Sequence, residues 1–553
     1  MNYKLVIAII TFLLAINVNA QLSESQLQKI DSLFIDWNRP NHPGGVVGIA
    51  TNDQILYLKA YGLASLEYLV PNSTSTLFNI ASVSKQFTAM GIVLLDIQGK
   101  LSVDDDIRKY IPELHDFGET IRIRHLLHHT SGLRSLHALL GLAGWRSDDR
   151  RSNEDLYRFM LNQRSLNYTP GAEYLYCNTG YMYMAKIIET VTGEDFTSWI
   201  KSSVFEPLGM TSTYVENQYN RVVTQNATSY FGSQNDGFDR AVEYWDYVGS
   251  GNMHSTVNDL LTWMSNFSNP QKGWEEHFKK IQTIDNFNNG EKNNYAFGVN
   301  IGDFNGIQSI GHGGSIGGFR SNVITYPEKE LSIVILTNFS AASPGQKSNL
   351  ISEIFIGKAA KEESKKDIKT ITLSKKNLAK YEGSYWNDKG MYVRKIYVRD
   401  DTLRYFRSEN NESPIVPLET DEFQMLGVSD KIIIKFEIVE NRNSMITTAN
   451  DGPPVIFQGF DPMDMNEAPL ALYAGNYYSP ELETTYRISV KEDTLYYHHS
   501  RHGDFPMKIV KKDILEGEWP FNIVRFQRDS ESKIKGILVT NGRVRNLWFE
   551  KQD

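Results

Sequence analysis

Cysteine is almost absent from this chain. Among 553 residues only Cys177 carries a thiol, so no intramolecular disulfide can staple the fold and packing alone must hold it. Positive charge is scarce as well: 57 Lys and Arg stand against 66 Asp and Glu, a net charge of −9, with no basic tract. The electrostatic footprint of a nucleic-acid binder is therefore missing. Long apolar runs are lacking everywhere except near the start, where MNYK precedes LVIAIITFLLAINV and the small-residue ending VNA. That run is short for a ~20-residue bilayer span. It reads as a secretory signal, residues 1–20, cleaved after Ala20, with a single membrane anchor as the competing reading. No cysteine follows it to accept a lipid. The expectation is a secreted or periplasmic protein with no stable membrane insertion after cleavage.

What is present is the composition of an ordered globular protein, 41% hydrophobic and 22% charged. The length exceeds one core and implies two to four domains. SESQLQKIDSLFIDW reads as a helix, and VVGIAT and ILYLKAYG as a hairpin turning at Asn52 and Asp53. A helical pattern runs from about Ser82 to a C-terminal cap at Gly99. TVND at Thr256 has capping-box spacing before the helical LLTWM. Strand-like YAFGVNI, IQSIGH, FRSNVITY and LSIVILTN follow, with PEKE turning between the last two. β elements thus flank a helical middle, which predicts an α+β domain over 21–356, helices packed on one antiparallel sheet. Residues 357–370, charged and nearly free of large apolar side chains, read as a linker.

Beyond the linker the chain repeats. LAKYEGSYWN and LALYAGNYYS align at an offset of 92 residues, and eleven of the 28 positions from Leu378 to Tyr405 match without a gap. Two β units are predicted, 371–465 and 466–553, each a small antiparallel barrel or curved sheet, because closure removes exposed edges.

Three stretches carry chemistry. In FNIASVSKQFTAMGIVLL, Ser82 and Lys85 are three residues apart, on one face of a helix. A serine hydroxyl needs a neighbouring base, and lysine serves only if burial or a second cation lowers its pKa from ~10.4. In YLYCNTGY, Tyr176 and Asn178 alternate, so an extended segment would point both one way; a tyrosine beside a lysine is a candidate base. In IGHGGSIGGF, His312 heads a glycine-rich run containing Gly314 and Ser315, which reads either as a tight turn or as a place where backbone can approach a ligand closely.

Ser-x-x-Lys, then Tyr-x-Asn, then His-x-Gly, in this order, resembles the class C β-lactamase-like serine hydrolases: penicillin-binding DD-carboxypeptidases, D-stereospecific aminopeptidases and esterases. IRHLLHHTSGL and GKLSVDDDIRKYIPEL are similar to the same family, and the resemblance covers about residues 25–355. It implies that Ser82 is acylated, that Lys85 is its base partner with Tyr176 sharing the proton transfer, and that Asn178 supports Lys85 and the substrate amide. The backbone N–H groups of Ser82 and Ser315 would form the oxyanion hole. No cofactor and no metal are implied. The implied substrate is a peptide, amide or ester, with D-amino-acid peptides and peptidoglycan fragments foremost. One residue departs from the β-lactamases, which carry lysine where His312 stands. Histidine lacks a permanent charge, which argues against efficient β-lactamase activity and predicts better handling of carboxylate-bearing substrates below pH 7. The paired β units resemble the two barrels of D-stereospecific aminopeptidases.

Other readings compete. GGSIG at Gly313–Gly317 matches a nucleophile elbow, but that motif needs a helix after the serine, and FRSNVITY is strand-like. His125, His128 and His129 cluster in HLLHHTSG without the spacing that completes a zinc site. A sensor that binds β-lactam or peptidoglycan and acylates without turnover is the alternative function. Glycan binding by the β units would require exposed aromatic side chains on one face.

Overall fold

The computed structural model describes residues 22–51, 54–358, 369–408, 411–428, 431–439, 442–450, 452–463 and 470–552. The signal segment, the Asn52–Asp53 turn and most of the 357–370 linker lie outside the described residues.

Six strands form one antiparallel sheet: β1 (Gly45–Thr51), β2 (Gln54–Tyr61), β3 (Asn300–Phe304), β4 (Ile307–Ile316), β5 (Phe319–Tyr326) and β6 (Leu331–Thr337), in the order β3-β4-β5-β6-β1-β2. Alternation along β1 explains the layering. Val46 and Ala50 face the large helical core, whereas Val47 and Ile49 face a second core against the opposite side of the sheet. Helix α1 (Glu24–Ser32), started by a Ser23–Gln26 capping box, and the much later α5 (Pro344–Ile356) cover that opposite side. Gly48 lets α4 (Val257–Ser265) lie close against the sheet, since a Cβ there would stand 2.3 Å from Val257 Cγ1. Thr256 caps α4 by accepting from the Asp259 N–H. Helices α2 (Lys85–Ile97) and α3 (Asn178–Thr192) run through the large core. The α+β expectation holds.

Two local readings change. YAFGVNI is not a strand before Asn300: Gly298 takes φ 75° and turns the chain beneath the backbone of Lys85. The glycine run from His312 to Ser315 is not a turn but the second half of β4, and the turn itself is only Gly317–Gly318.

The repeat appears as two closed eight-stranded antiparallel barrels, from Gly383 to Phe460 and from Gly475 to Gln552. Residues 92 apart occupy equivalent positions. Gly383 pairs with Ile396 as Gly475 does with Ile488, and Val398 with Leu403 as Val490 does with Leu495. Both hairpins turn through two consecutive residues at positive φ, Asp400–Asp401 and Glu492–Asp493, the geometry of a tight primed turn. Tyr385 donates to the Tyr381 carbonyl, and Tyr477 to the Tyr473 carbonyl. These tyrosines, with Tyr405 and Tyr497, are buried. They build the barrel cores and are unavailable as a glycan platform.

The second barrel docks on the helical side of the first unit. Arg134, fully buried, pairs with Glu481 at 2.8 Å and 2.9 Å. Arg501 pairs with Asp149, and Arg545 with Glu173. Leu139 and Leu142 join the apolar cluster of the second barrel. Among the described residues no helix is long and apolar enough to cross a membrane.

Candidate active site

Ser82 lies in a 3₁₀ turn, Ala81–Ser84, that runs straight into α2. The residue before it, Ala81, takes φ 51°, a left-handed conformation uncommon for a side chain with a Cβ. This geometry is held from outside: the Ala81 N–H donates to Asn79 Oδ1 at 2.9 Å, and Asn79 Nδ2 donates to Asn252 Oδ1 at 2.9 Å. The Ile80 N–H reaches the Met253 carbonyl at 2.8 Å, and Ser84 Oγ accepts from the Met253 N–H at 3.2 Å. The loop Gly249–Met253 therefore clamps the serine turn, a role no local pattern in its sequence announces.

Lys85 is fully buried one helical turn on. Its Nζ stands 3.2 Å from Ser82 Oγ and also donates to the Ser250 carbonyl. It lies 4.8 Å from the ring centroid of Tyr176 and 5.5 Å from that of Tyr181. Burial drives its pKa well below the ordinary value, and the nearby positive charge of Arg543 adds to the effect. The Tyr176 phenol is pushed up, chiefly by burial, with Ser82 partly offsetting it. Of the two candidate bases, burial therefore favours a neutral lysine and a protonated tyrosine.

Tyr176 and Asn178 line the same cleft, though not on one extended strand: Cys177 is the extended residue preceding α3, and Asn178 opens the helix. The segment is fixed by His129, at φ 58°, whose carbonyl accepts from the Leu175 N–H at 3.0 Å and whose Nδ1 accepts from the Cys177 N–H at 3.1 Å. The ring sits 4.2 Å from Tyr176 and 4.5 Å from Tyr295, and burial keeps it neutral. The three clustered histidines diverge: His125 accepts from the Arg122 N–H, and His128 Nδ1 meets the Tyr295 carbonyl at 2.7 Å. Among the described residues no group of three or more His, Cys, Asp or Glu gathers as metal ligands.

Strand β4 forms the far wall. It pairs with β3 only as far as Gly311, and beyond that its free edge runs past the serine turn. A Cβ on Gly314 would stand 2.4 Å from the Ile80 carbonyl and 3.0 Å from the Ala81 Cβ. His312 is buried, with Nε2 3.0 Å from the Tyr295 hydroxyl and Nδ1 2.6 Å from the Gly313 carbonyl. Burial and then Lys85 push its pKa down to about 4. The expected switch just below neutrality is therefore displaced, and His312 stays uncharged through pH 5.5–8. Ser315 closes the wall opposite Arg320 in the hairpin register. The cleft encloses about 820 Å³ and brings together Ser82, Tyr176, Asn178, His312, Gly314 and Ser315 with residues outside the motifs, among them Ser250, Tyr247 and Arg543. Arg543 comes from the second barrel.

Comparisons with known proteins agree with this architecture. A family model described as Beta-lactamase matches residues 28–352. Penicillin-binding protein 4* of Bacillus subtilis (strain 168) is 29% identical over 336 residues, covering 57% of this chain and 73% of that protein. A D-aminopeptidase of Gluconobacter oxydans (strain 621H) is 26% identical over 302 residues, covering 54% of this chain and 57% of its own length, so the match spans little more than half of that relative. Among solved structures, the octameric penicillin-binding protein homologue from Pyrococcus abyssi superposes with a TM-score of 0.55 at 25% identity, covering 78% of this chain and 99% of that one.

Proposed function

Because the chain belongs to the beta-lactamase family, we propose that it is an exported serine hydrolase that forms an acyl-enzyme on Ser82. The observation that carries this reading is a fully buried lysine 3.2 Å from a serine hydroxyl. In the proposed reaction neutral Lys85 takes the Ser82 proton as Oγ attacks the carbonyl carbon. Ser82 and Ser315 N–H groups receive the developing oxyanion. An edge amide of β4 suits this role, because the strand's free edge faces the serine turn. The C–N or C–O bond then breaks, and the leaving group takes its proton from Lys85, with the Tyr176 phenol as relay. Water repeats the attack on the acyl-enzyme, and Oγ regains its proton. Asn178 lies where it can hold the substrate amide.

Peptides, amides and esters are the proposed substrates, D-amino-acid peptides and cell-wall fragments first, in keeping with relatives named D-aminopeptidase and penicillin-binding protein. Labelling with a fluorophosphonate, followed by peptide mapping, tests the nucleophile. The expected outcome is modification of Ser82 that disappears in Ser82→Ala; label on Ser315 instead would defeat the assignment. The sensor alternative differs in turnover: one equivalent of leaving group released from an ester, with none thereafter, would favour it.

A further inference from the structure

The second barrel delivers a cation to the cleft. Arg543 sits between the turn at Gly542, φ 50°, and the barrel's closing strand, Val544–Gln552. Its backbone is fixed by the first unit. The Arg543 carbonyl accepts from the Ser135 N–H at 3.3 Å and from Asn167 Nδ2 at 3.1 Å, while the Arg545 N–H donates to Asn167 Oδ1 at 2.7 Å. Buried Arg134, paired with Glu481, donates to the Arg545 carbonyl at 3.1 Å. The Arg543 side chain, by contrast, is exposed. Its guanidinium lies 4.8 Å from the Tyr176 ring centroid, lines the cleft, and has no ion-pair partner among the described residues.

The other ionisable groups around the cleft do not duplicate it. Lys85 is buried beneath Ser82. His312 and His137 are kept neutral by burial, at about 4 and about 3. Arg320 directs Nη1 at the Gly317 and Phe319 carbonyls. Glu243, behind the Gly317–Gly318 turn, is bonded by Ser229 and raised to about 7 by burial. Among the described residues that line the cleft there are two guanidinium groups and no carboxylate, and of the two Arg543 is the one whose side chain is not engaged by a backbone carbonyl.

We propose that Arg543 is the specificity-determining cation of this cleft, receiving a carboxylate on the substrate. It would supply from the second barrel the permanent charge that His312 does not. A guanidinium presents parallel N–H donors that match a carboxylate and repels an ammonium. The preferred substrate therefore ends in a carboxylate on the side facing Arg543, and a free amine there is disfavoured. For turnover this rests on the Ser82 reading above.

The test uses the full chain and two D-alanyl thioesters, N-acetyl-D-alanyl-thioglycolate and its carboxamide. Their ratio of kcat/KM is the readout, because any effect of Arg543 on Lys85 acts on both and cancels. The wild type should prefer the acid at least about 10-fold. Arg543→Gln should bring the ratio near one, Arg543→Lys should restore part of it, and Arg543→Glu should invert it. A ratio unchanged in both Gln and Glu variants overturns the proposal. Calorimetry on Ser82→Ala with N-acetyl-D-alanyl-glycine and its amide, with and without Arg543→Gln, separates the two claims. Discrimination that vanishes with Arg543, in an enzyme without turnover, upholds the arginine and defeats the hydrolase. Turnover without discrimination does the reverse.

Discussion

At the scale of the residue, Lys85 carries a stability cost, because burial drives its pKa well below the ordinary value. A lysine folded into an apolar interior is neutral there, while the unfolded chain protonates it up to pH ~10.4. The unfolded state then binds the extra proton, so stability rises with pH between the lowered folded-state pKa of Lys85 and that value, by up to about 1.4 kcal/mol per unit for one such group. In Lys85→Met that slope should vanish. Urea unfolding of both proteins at pH 8, 9 and 10 should show the wild type gaining about 1.4 kcal/mol per unit relative to the variant; a pH-independent difference would mean that Lys85 is charged when folded. Acylation by the variant should fall at least about 10³-fold, through loss of the base. His312 makes a contrasting prediction. Because burial holds it near 4, His312→Gln should leave the shape of the kcat/KM profile between pH 5.5 and 8 unchanged, and an inflection lost in the variant would contradict its neutrality. Ser82, Lys85, Tyr176, Asn178 and His312 were legible as short-range spacings. His129, Ser250 and Arg543 were not, because each acts through a contact between stretches far apart in the chain, and in the sequence they look like a helix end, a loop and a hairpin.

At the scale of the element, β4 explains why the glycine run looked like a turn. Glycine is poor in strands, so IGHGGSIGG resembles a loop on propensity alone. Tertiary contact overrides this: the Gly314 position passes within reach of Ile80 and Ala81, where no side chain fits. Gly314→Ala should push β4 from the serine turn. The expected result is a kcat/KM at least about 10²-fold lower, the size of a lost oxyanion donor, and a penalty of about 1–3 kcal/mol from overpacking. Kinetics beside a thermal melt check both, and near-normal turnover would show that the wall can retreat without cost. β5 was readable because buried and half-buried positions alternate along it, β1 and β6 because both their faces are buried and their runs are rich in Val and Ile, and β2 as the hairpin partner of β1. YAFGVNI failed because a glycine at positive φ interrupts the pattern, and its neighbours cannot reveal that conformation.

At the scale of the whole molecule, the barrels were foreseeable as a repeat but their docking was not. Nothing in the local sequence of Arg134 or Glu481 pairs them. Burial shifts both groups toward their neutral forms, and the pairing opposes that shift, so the bridge serves placement more than stability. Glu481→Ala would strand a buried guanidinium, costing about 3–5 kcal/mol. Differential scanning calorimetry should show a lower melting temperature, and limited proteolysis faster cleavage between the first unit and the second barrel; an unaltered pattern would mean that the remaining contacts suffice for docking. The same docking gives the site a history as well as a geometry. Synthesis proceeds from the N-terminus and earlier domains generally fold first, so the Ser82 turn, α2, α3 and the sheet can be in place while Arg543 is still to be translated. Until the closing strand completes the second barrel, a nascent or truncated chain would hold the proposed nucleophile without the proposed cation at its entrance, and selectivity, if it rests on Arg543, would be the last property of the molecule to mature.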